Sequence, residues 1–176
     1  MNLKLKRTPG IYLVGFMGSG KTTIGRMLAE DIGWRFADLD DDIEAQQRCS
    51  IAQIFKKEGE DEFRRIEHEA ILKRMRNVCR GVPIVLALGG GAFTRPNNIE
   101  LLQNNGIVIW IDTAFAIVKK RVEGGNHRPL ARDPEEFELL YHERRALYAK
   151  ADFRVEVTRD DSRLALADVL KLNLFE

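Results

Sequence analysis

The segment that most constrains this chain runs from Ile11 to Asp31. A short apolar stretch, Ile11-Tyr12-Leu13-Val14, ends in Gly15-Phe16-Met17-Gly18-Ser19-Gly20-Lys21-Thr22. An amphipathic stretch from Thr22 to Asp31 follows, with Ile24, Leu28 and Ile32 at i, i+4 and i+8. The octapeptide fits GxxxxGK[ST] between a strand pattern and a helix pattern, which is the context that motif requires. Its glycines let the backbone wrap an anion with successive N–H groups turned inward, and the helix start adds its dipole. Gly18, Ser19, Gly20, Lys21, Thr22 and Thr23 are therefore candidates for binding a nucleoside triphosphate. Lys21 would reach the β- and γ-phosphates, and the Thr22 hydroxyl would ligate Mg²⁺. The bland alternative is a glycine turn with a chance lysine.

Further apolar runs, Ile84–Leu88 and Ile107–Ile111, are continuous rather than alternating, as suits strands covered on both faces. Phe36–Asp38 and Phe153–Val157 read as a second and a fifth strand. Between the strands lie helical patterns. Ser50-Ile51-Ala52-Gln53 has the form of a capping box and opens a helix with Ile51, Ile54 and Phe55 inward. Phe63, Ile66, Ala70 and Met75 stripe a longer helix, and Asp133-Pro134-Glu135-Glu136 combines a cap, proline at N1 and acids in the first turn. Such alternation predicts right-handed βαβ units and an α/β fold with a mostly parallel sheet. Ligands of these sheets bind at the carboxyl ends of the strands.

Size and charge narrow the function. The chain has 176 residues, 44% of them hydrophobic, enough for one domain that buries roughly 70% of its unfolded surface without a staple. Lys and Arg number 28 against 27 Asp and Glu, a net charge of +1, which argues against an electrostatic nucleic-acid binder. Cys49 and Cys79 form no CxxC pair, which argues against a cysteine zinc site; two free thiols in a reducing compartment are expected, with a disulfide as the alternative. His68, His127 and His142 show no HxxxH spacing. Met1 to Gly10 carries Lys4, Lys6 and Arg7 but no apolar core of a signal peptide. The longest apolar runs are five residues, against about 20 for a membrane span. A cytoplasmic protein that meets no membrane is expected. The length argues against ATPase motors, and no N/TKxD motif of a GTPase is present.

Asp38-Leu39-Asp40 follows the second strand. On an extended segment both carboxylates would point the same way, Asp38 toward a magnesium-bound water and Asp40 toward an acceptor hydroxyl whose proton it would take or orient. Helix capping is the competing reading, since Ile43-Glu44-Ala45 follows. The polar, glycine-hinged segment Gly124–Arg132 reads as a candidate lid.

In order along the chain, GFMGSGKTT, DLDDDIE, SIAQIF with EGE and EFRRIE, LGGGA and RPLA resemble the shikimate kinase family, from about Ile11 to Phe153. The resemblance implies a three-layer P-loop fold of the nucleoside-monophosphate-kinase type, with five parallel strands flanked by helices. It implies a substrate-binding region near residues 40–70 and a lid near 122–134 within a single domain spanning 1–176. The implied activity is ATP- and Mg²⁺-dependent phosphorylation of the 3-hydroxyl of shikimate, in aromatic amino-acid biosynthesis. Family roles match Asp40 as the aspartate against the substrate hydroxyls and Arg128 as the lid arginine that reaches ATP phosphates; with Lys21 of the phosphate loop these are the candidate catalytic residues, and Thr22 and Asp38 are the candidate metal ligands. Asp40, Arg64, Gly89, Gly90, Gly91 and Arg144 match the substrate-binding positions.

The residue chemistry agrees, because guanidinium forks suit a carboxylate, and glycines admit a ligand close to backbone N–H groups. For Arg64 the alternative is an ion pair with Glu60 or Glu67; for the three glycines, a plain tight turn; for Arg128, its neighbour Arg132 as a substitute. The family's R-x-P-L-Y reads Arg144-Arg145-Ala146-Leu147-Tyr148 here, so Arg145 competes with Arg144. No residue of Thr158–Ser162 stands out for the nucleotide base. A gluconate-type small-molecule kinase and a nucleotide-binding domain without transfer activity are the alternatives. Shikimate and ATP are the expected partners, and a monomer is expected.

Overall fold

Strand burial sets the architecture of the computed structural model, which describes residues 10–123, 133–172 and 174. Strands β1 (Gly10–Val14), β3 (Ile84–Ala87) and β4 (Ile107–Thr113) are buried along their whole length. They are the continuous apolar runs, and they occupy the middle of one sheet. The half-exposed strands β2 (Arg35–Asp38) and β5 (Phe153–Val157) take its edges. The order is β2-β3-β1-β4-β5 and every pairing is parallel. The fold is therefore the expected five-stranded parallel α/β arrangement.

Helices cover both faces. Ile11, Leu13, Val85, Ile107 and Ile109 pack against α1 (Lys21–Ile32) and, across the chain, α7 (Ser162–Leu170). On the other face Tyr12, Val14, Leu86, Val108 and Trp110 meet α2 (Leu39–Gln47), α3 (Ile51–Cys79), α4 (Pro96–Asn104), α5 (Phe115–Glu123) and α6 (Pro134–Tyr148). The caps form as the sequence suggests. Ser50 and Gln53 make a reciprocal capping box on α3, and Asp133 accepts from the N–H groups of Glu135 and Glu136 on α6.

Two local expectations change. The two helical patterns predicted over α3 are two limbs meeting at Gly59 (φ 82°, ψ 175°), backbone only glycine adopts readily; what changes is one side chain. In the first limb Ile54 is buried, but Phe55 is exposed and stacks on Phe63 with ring centroids 4.5 Å apart. The second change concerns Asp40. The strand stops at Asp38 and the chain turns at once into α2, so Asp40 stands in a helical first turn rather than on an extended segment. Asp38 is the N-cap, its Oδ1 accepting from Asp40 N at 3.0 Å. The capping reading of Asp38 is thus correct, and it coexists with the position near the phosphate loop described below.

Candidate active site

The phosphate-binding loop is shaped by backbone that only glycine tolerates well. Gly18 and Gly20 have φ of 75° and 97°. Gly20 is the N-cap of α1 and offers no side-chain acceptor, so the first N–H groups of that helix have no capping oxygen and are left for an anion. Ser19 is buried inside the loop, its carbonyl receiving the Thr113 hydroxyl at 2.8 Å. Lys21 donates to the Gly15 and Phe16 carbonyls at 2.9 and 2.8 Å. Thr22 Oγ1 donates to Asp38 Oδ2 at 2.6 Å, joining the start of α1 to the end of β2.

One cavity of about 980 Å³ begins at this loop and runs along the carboxyl ends of β1, β2 and β3. Gly18, Gly20, Lys21, Thr22 and Thr23 border one end; Asp38 and Asp40 stand between; Arg64, Arg144 and the glycine tract Gly89–Gly91 border the other. The structure thus brings together every sequence-predicted site residue it describes except Ser19, whose side chain turns into the loop. Arg128, Arg132 and the lid segment Gly124–Arg132 lie outside the described residues.

The glycine tract makes room for side chains as well as for a ligand. A Cβ on Gly89 would lie 2.7 Å from Asp40 Oδ1, one on Gly90 3.3 Å from Arg144 Nη1, and one on Gly91 2.4 Å from Arg64 Nη2. Each glycine faces one candidate residue from a different helix.

Arg64 is anchored. Its Nη1 donates to both oxygens of Glu67, at 2.9 and 3.1 Å, and its Nε lies 3.5 Å from Glu60. The ion-pair reading of Arg64 is therefore right as far as it goes. Nε is buried and makes no hydrogen bond, with the Glu60 carboxylate as its neighbour. Glu67 is 1% exposed, and burial pushes its carboxyl above the usual glutamate range against the pull of Arg64, Arg144 and Arg95.

The two adjacent arginines separate cleanly. Arg145 pairs bidentately with buried Asp112, bonds Tyr141 Oη at 3.0 Å and covers Trp110. Arg144 forms no ion pair among the described residues and rests over the Phe16 ring, 5.8 Å from its centroid. The alanine at 146 leaves α6 unbroken and Arg144 in register.

Sequence reasoning passed over Arg121, Asp160 and Ser162, which also border the cavity at its loop end. Arg121 donates to the Gly18 carbonyl at 2.9 Å and to Asp160 at 2.5 Å. No motif marks this pairing, because its partners lie far apart in sequence. Among the described residues no group of three or more His, Cys, Asp or Glu side chains suits a metal ion. The Thr22–Asp38 pair instead offers hard oxygen donors of the kind that hold Mg²⁺ together with a nucleotide's own phosphates.

A phosphate loop opening into an acceptor pocket on a parallel sheet defines a P-loop small-molecule kinase. A sugar kinase from Janibacter, 18% identical with a TM-score of 0.58, shares this fold. A family model for shikimate kinase matches residues 17–173, and the chain belongs to the shikimate kinase family. The shikimate kinase of Persephonella marina is 42% identical over 82% of this chain and 87% of its own; that of Macrococcus caseolyticus is 43% identical over 85% and 86%. The structure of shikimate kinase from Acinetobacter baumannii in complex with shikimate superposes with a TM-score of 0.87 at 35% identity, covering 98% of both chains.

Proposed function

We infer that this chain transfers the γ-phosphoryl group of ATP to the 3-hydroxyl of shikimate, yielding shikimate 3-phosphate and ADP. Family membership supports the activity, and one observation carries the assignment of roles: the phosphate loop and the Asp40–Arg64–Arg144 pocket share a single cavity.

The acceptor is a ring acid with hydroxyl groups, and the two ends of the pocket suit its two chemistries. Arg64 and Arg144 hold the carboxylate; a guanidinium gains most where its partner is a planar anion. Asp40 bonds the 3-hydroxyl. As that oxygen bonds to Pγ and the Pγ–O bond to ADP breaks, the hydroxyl proton passes to the Asp40 carboxylate. Gly89, Gly90 and Gly91 let the ring lie against the backbone. Lys21 and the N–H groups opening α1 stabilise charge on the phosphoryl oxygens, and much of the rate comes from in-line positioning. Thr22 and Asp38 would hold Mg²⁺, which would supply positive charge against the nucleotide phosphates. The resemblance supports Arg128, in the segment near 122–134, as the arginine that reaches the ATP phosphates and would neutralise charge on the transferred group. Arg121, Asp160 and Ser162 border the nucleotide end.

The whole chain acts as one kinase domain, with residues near 40–70 on the acceptor side. A cytoplasmic monomer that engages no nucleic acid and no membrane is the accompanying reading. No helix among the described residues is long and apolar enough to cross a membrane. The test is ADP release in the presence of Mg²⁺, with and without shikimate, and with gluconate as the competing acceptor. Shikimate-dependent release alone is expected; release with gluconate, or none with either, would overturn the assignment.

A further inference from the structure

The proposed reaction gives no role to a buried hydroxyl that bonds the glycine tract from behind the cavity lining. Tyr148 ends α6 and is 1% exposed. Its hydroxyl donates to the Gly90 carbonyl at 2.5 Å. A phenol taken fully out of water needs such a partner, since an unmade bond there carries the whole desolvation penalty. Burial raises its pKa to about 12, with Arg144 and Arg64 pulling the other way, so both arginines sense the phenol oxygen.

Arg144 stands four residues earlier on the same helix, so the two side chains leave one face of α6 a single turn apart. They meet the same residue. Tyr148 takes the Gly90 carbonyl, and Nη1 of Arg144 lies 3.3 Å from where a Gly90 Cβ would stand. Among the described residues, beyond the Phe16 ring and the phenol, Arg144 has no anchor comparable to the Glu67 carboxylate that holds Arg64. The separation between α6 and the glycine tract therefore decides where this arginine points, and the Tyr148 hydroxyl is a direct bond across it.

We propose that Tyr148 is a positioning residue for the acceptor. By holding the Gly90 carbonyl, its hydroxyl fixes α6 against the glycine tract and aims Arg144 at the acceptor carboxylate. The proposal rests on the shikimate reading above. The competing view is that Tyr148 merely packs, since its ring lies 6.0 Å from that of Trp110.

Tyr148→Phe keeps the ring and removes only the hydroxyl. Loss of one hydrogen bond translates to a rise of roughly 3- to 10-fold in KM for shikimate, with kcat and KM for ATP within about two-fold of wild type. A purely structural loss would instead lower the folded fraction, and with it kcat and nucleotide binding together. In an Arg144→Ala background the same substitution should raise KM for shikimate no further, because its effect travels through that arginine. An unchanged KM in Tyr148→Phe, or an equal rise in both backgrounds, would overturn the proposal. Assays run below the variant's own unfolding midpoint, with nucleotide binding scoring the folded fraction, keep the comparison valid for a destabilised variant. Absence of shikimate turnover in the wild type would remove both readings; normal wild-type turnover with an unaffected variant would remove this one alone.

Discussion

A Cβ at Gly91 would stand 2.4 Å from Arg64 Nη2, closer than any two such atoms can rest. Gly91 has φ −98° and ψ −11°, ordinary right-handed backbone, so its lack of a side chain serves space and not conformation. Arg64 cannot retreat freely, because Glu67 holds its other nitrogen. Gly91→Ala is therefore expected to fold and to displace the guanidinium. KM for shikimate should rise by roughly tenfold, about 1.4 kcal/mol, with KM for ATP unchanged. Steady-state kinetics with each substrate varied in turn would show it; an unaltered shikimate KM would mean that Arg64 does not bind the acceptor.

Asp40 carries the proton in the proposed transfer. Asp40→Asn preserves the shape and removes the base, and a loss of about 10²–10⁴ in kcat is expected. Nucleotide affinity should stay at the wild-type level, since the phosphates are held by the loop and α1. Near-normal turnover in this variant would take Asp40 out of the chemistry.

Asp38 has two tasks that substitution can separate. It caps α2 through Oδ1 and meets the Thr22 hydroxyl through Oδ2. Asparagine caps nearly as well as aspartate, so Asp38→Asn should keep the unfolding midpoint while raising the Mg²⁺ concentration needed for half-maximal rate. Asp38→Ala should show the same metal phenotype and lose about 1 kcal/mol of stability besides. Magnesium titrations paired with thermal unfolding distinguish the two, and an identical Mg²⁺ requirement in all three proteins would contradict the metal role.

Arg144 and Arg145 are neighbours with opposite assignments. Arg144→Ala should raise KM for shikimate at little cost in stability. Arg145→Ala uncovers the buried carboxylate of Asp112, left with Arg154 as its remaining cation, and should lower stability by about 1–3 kcal/mol with a near-normal KM. The reverse pattern would exchange their roles.

Glu67 links the site to pH. Its carboxyl sits above 4.5 in the folded protein because it is buried. Just above that pH the folded chain keeps a proton that the unfolded chain has already lost. The unfolding free energy contributed by this group therefore falls as pH rises through the window and is largest below it. Urea denaturation across that range should show a shallower decline in Glu67→Gln than in wild type; parallel slopes would mean that Glu67 ionises alike in both states.

The phosphate loop was legible from the sequence because its chemistry is contiguous. Eight residues between a strand and a helix suffice to shape an anion cradle, and neither needs a distant partner. The central strands were equally plain, since burial on both faces demands unbroken apolar runs such as Ile107–Ile111. Asp40 is marked by its spacing after the second strand, and Arg64 and Arg144 by motif resemblance, but their geometry is not legible in the sequence. The sequence pattern predicts Asp40 on an extended segment and Phe55 inward; Asp40 stands on a helix, and Phe55 lies exposed at the cavity.

Tertiary structure alone decided that Arg144 faces the cavity while Arg145 is spent on Asp112, that Glu67 is buried beneath Arg64, and that Arg121 meets Asp160. It also set each glycine of the tract opposite a side chain from a different helix. These are contacts between segments far apart along the chain. Local periodicity reports which face of an element is apolar; which charged group on that element meets which partner follows from how the helices pack across the sheet.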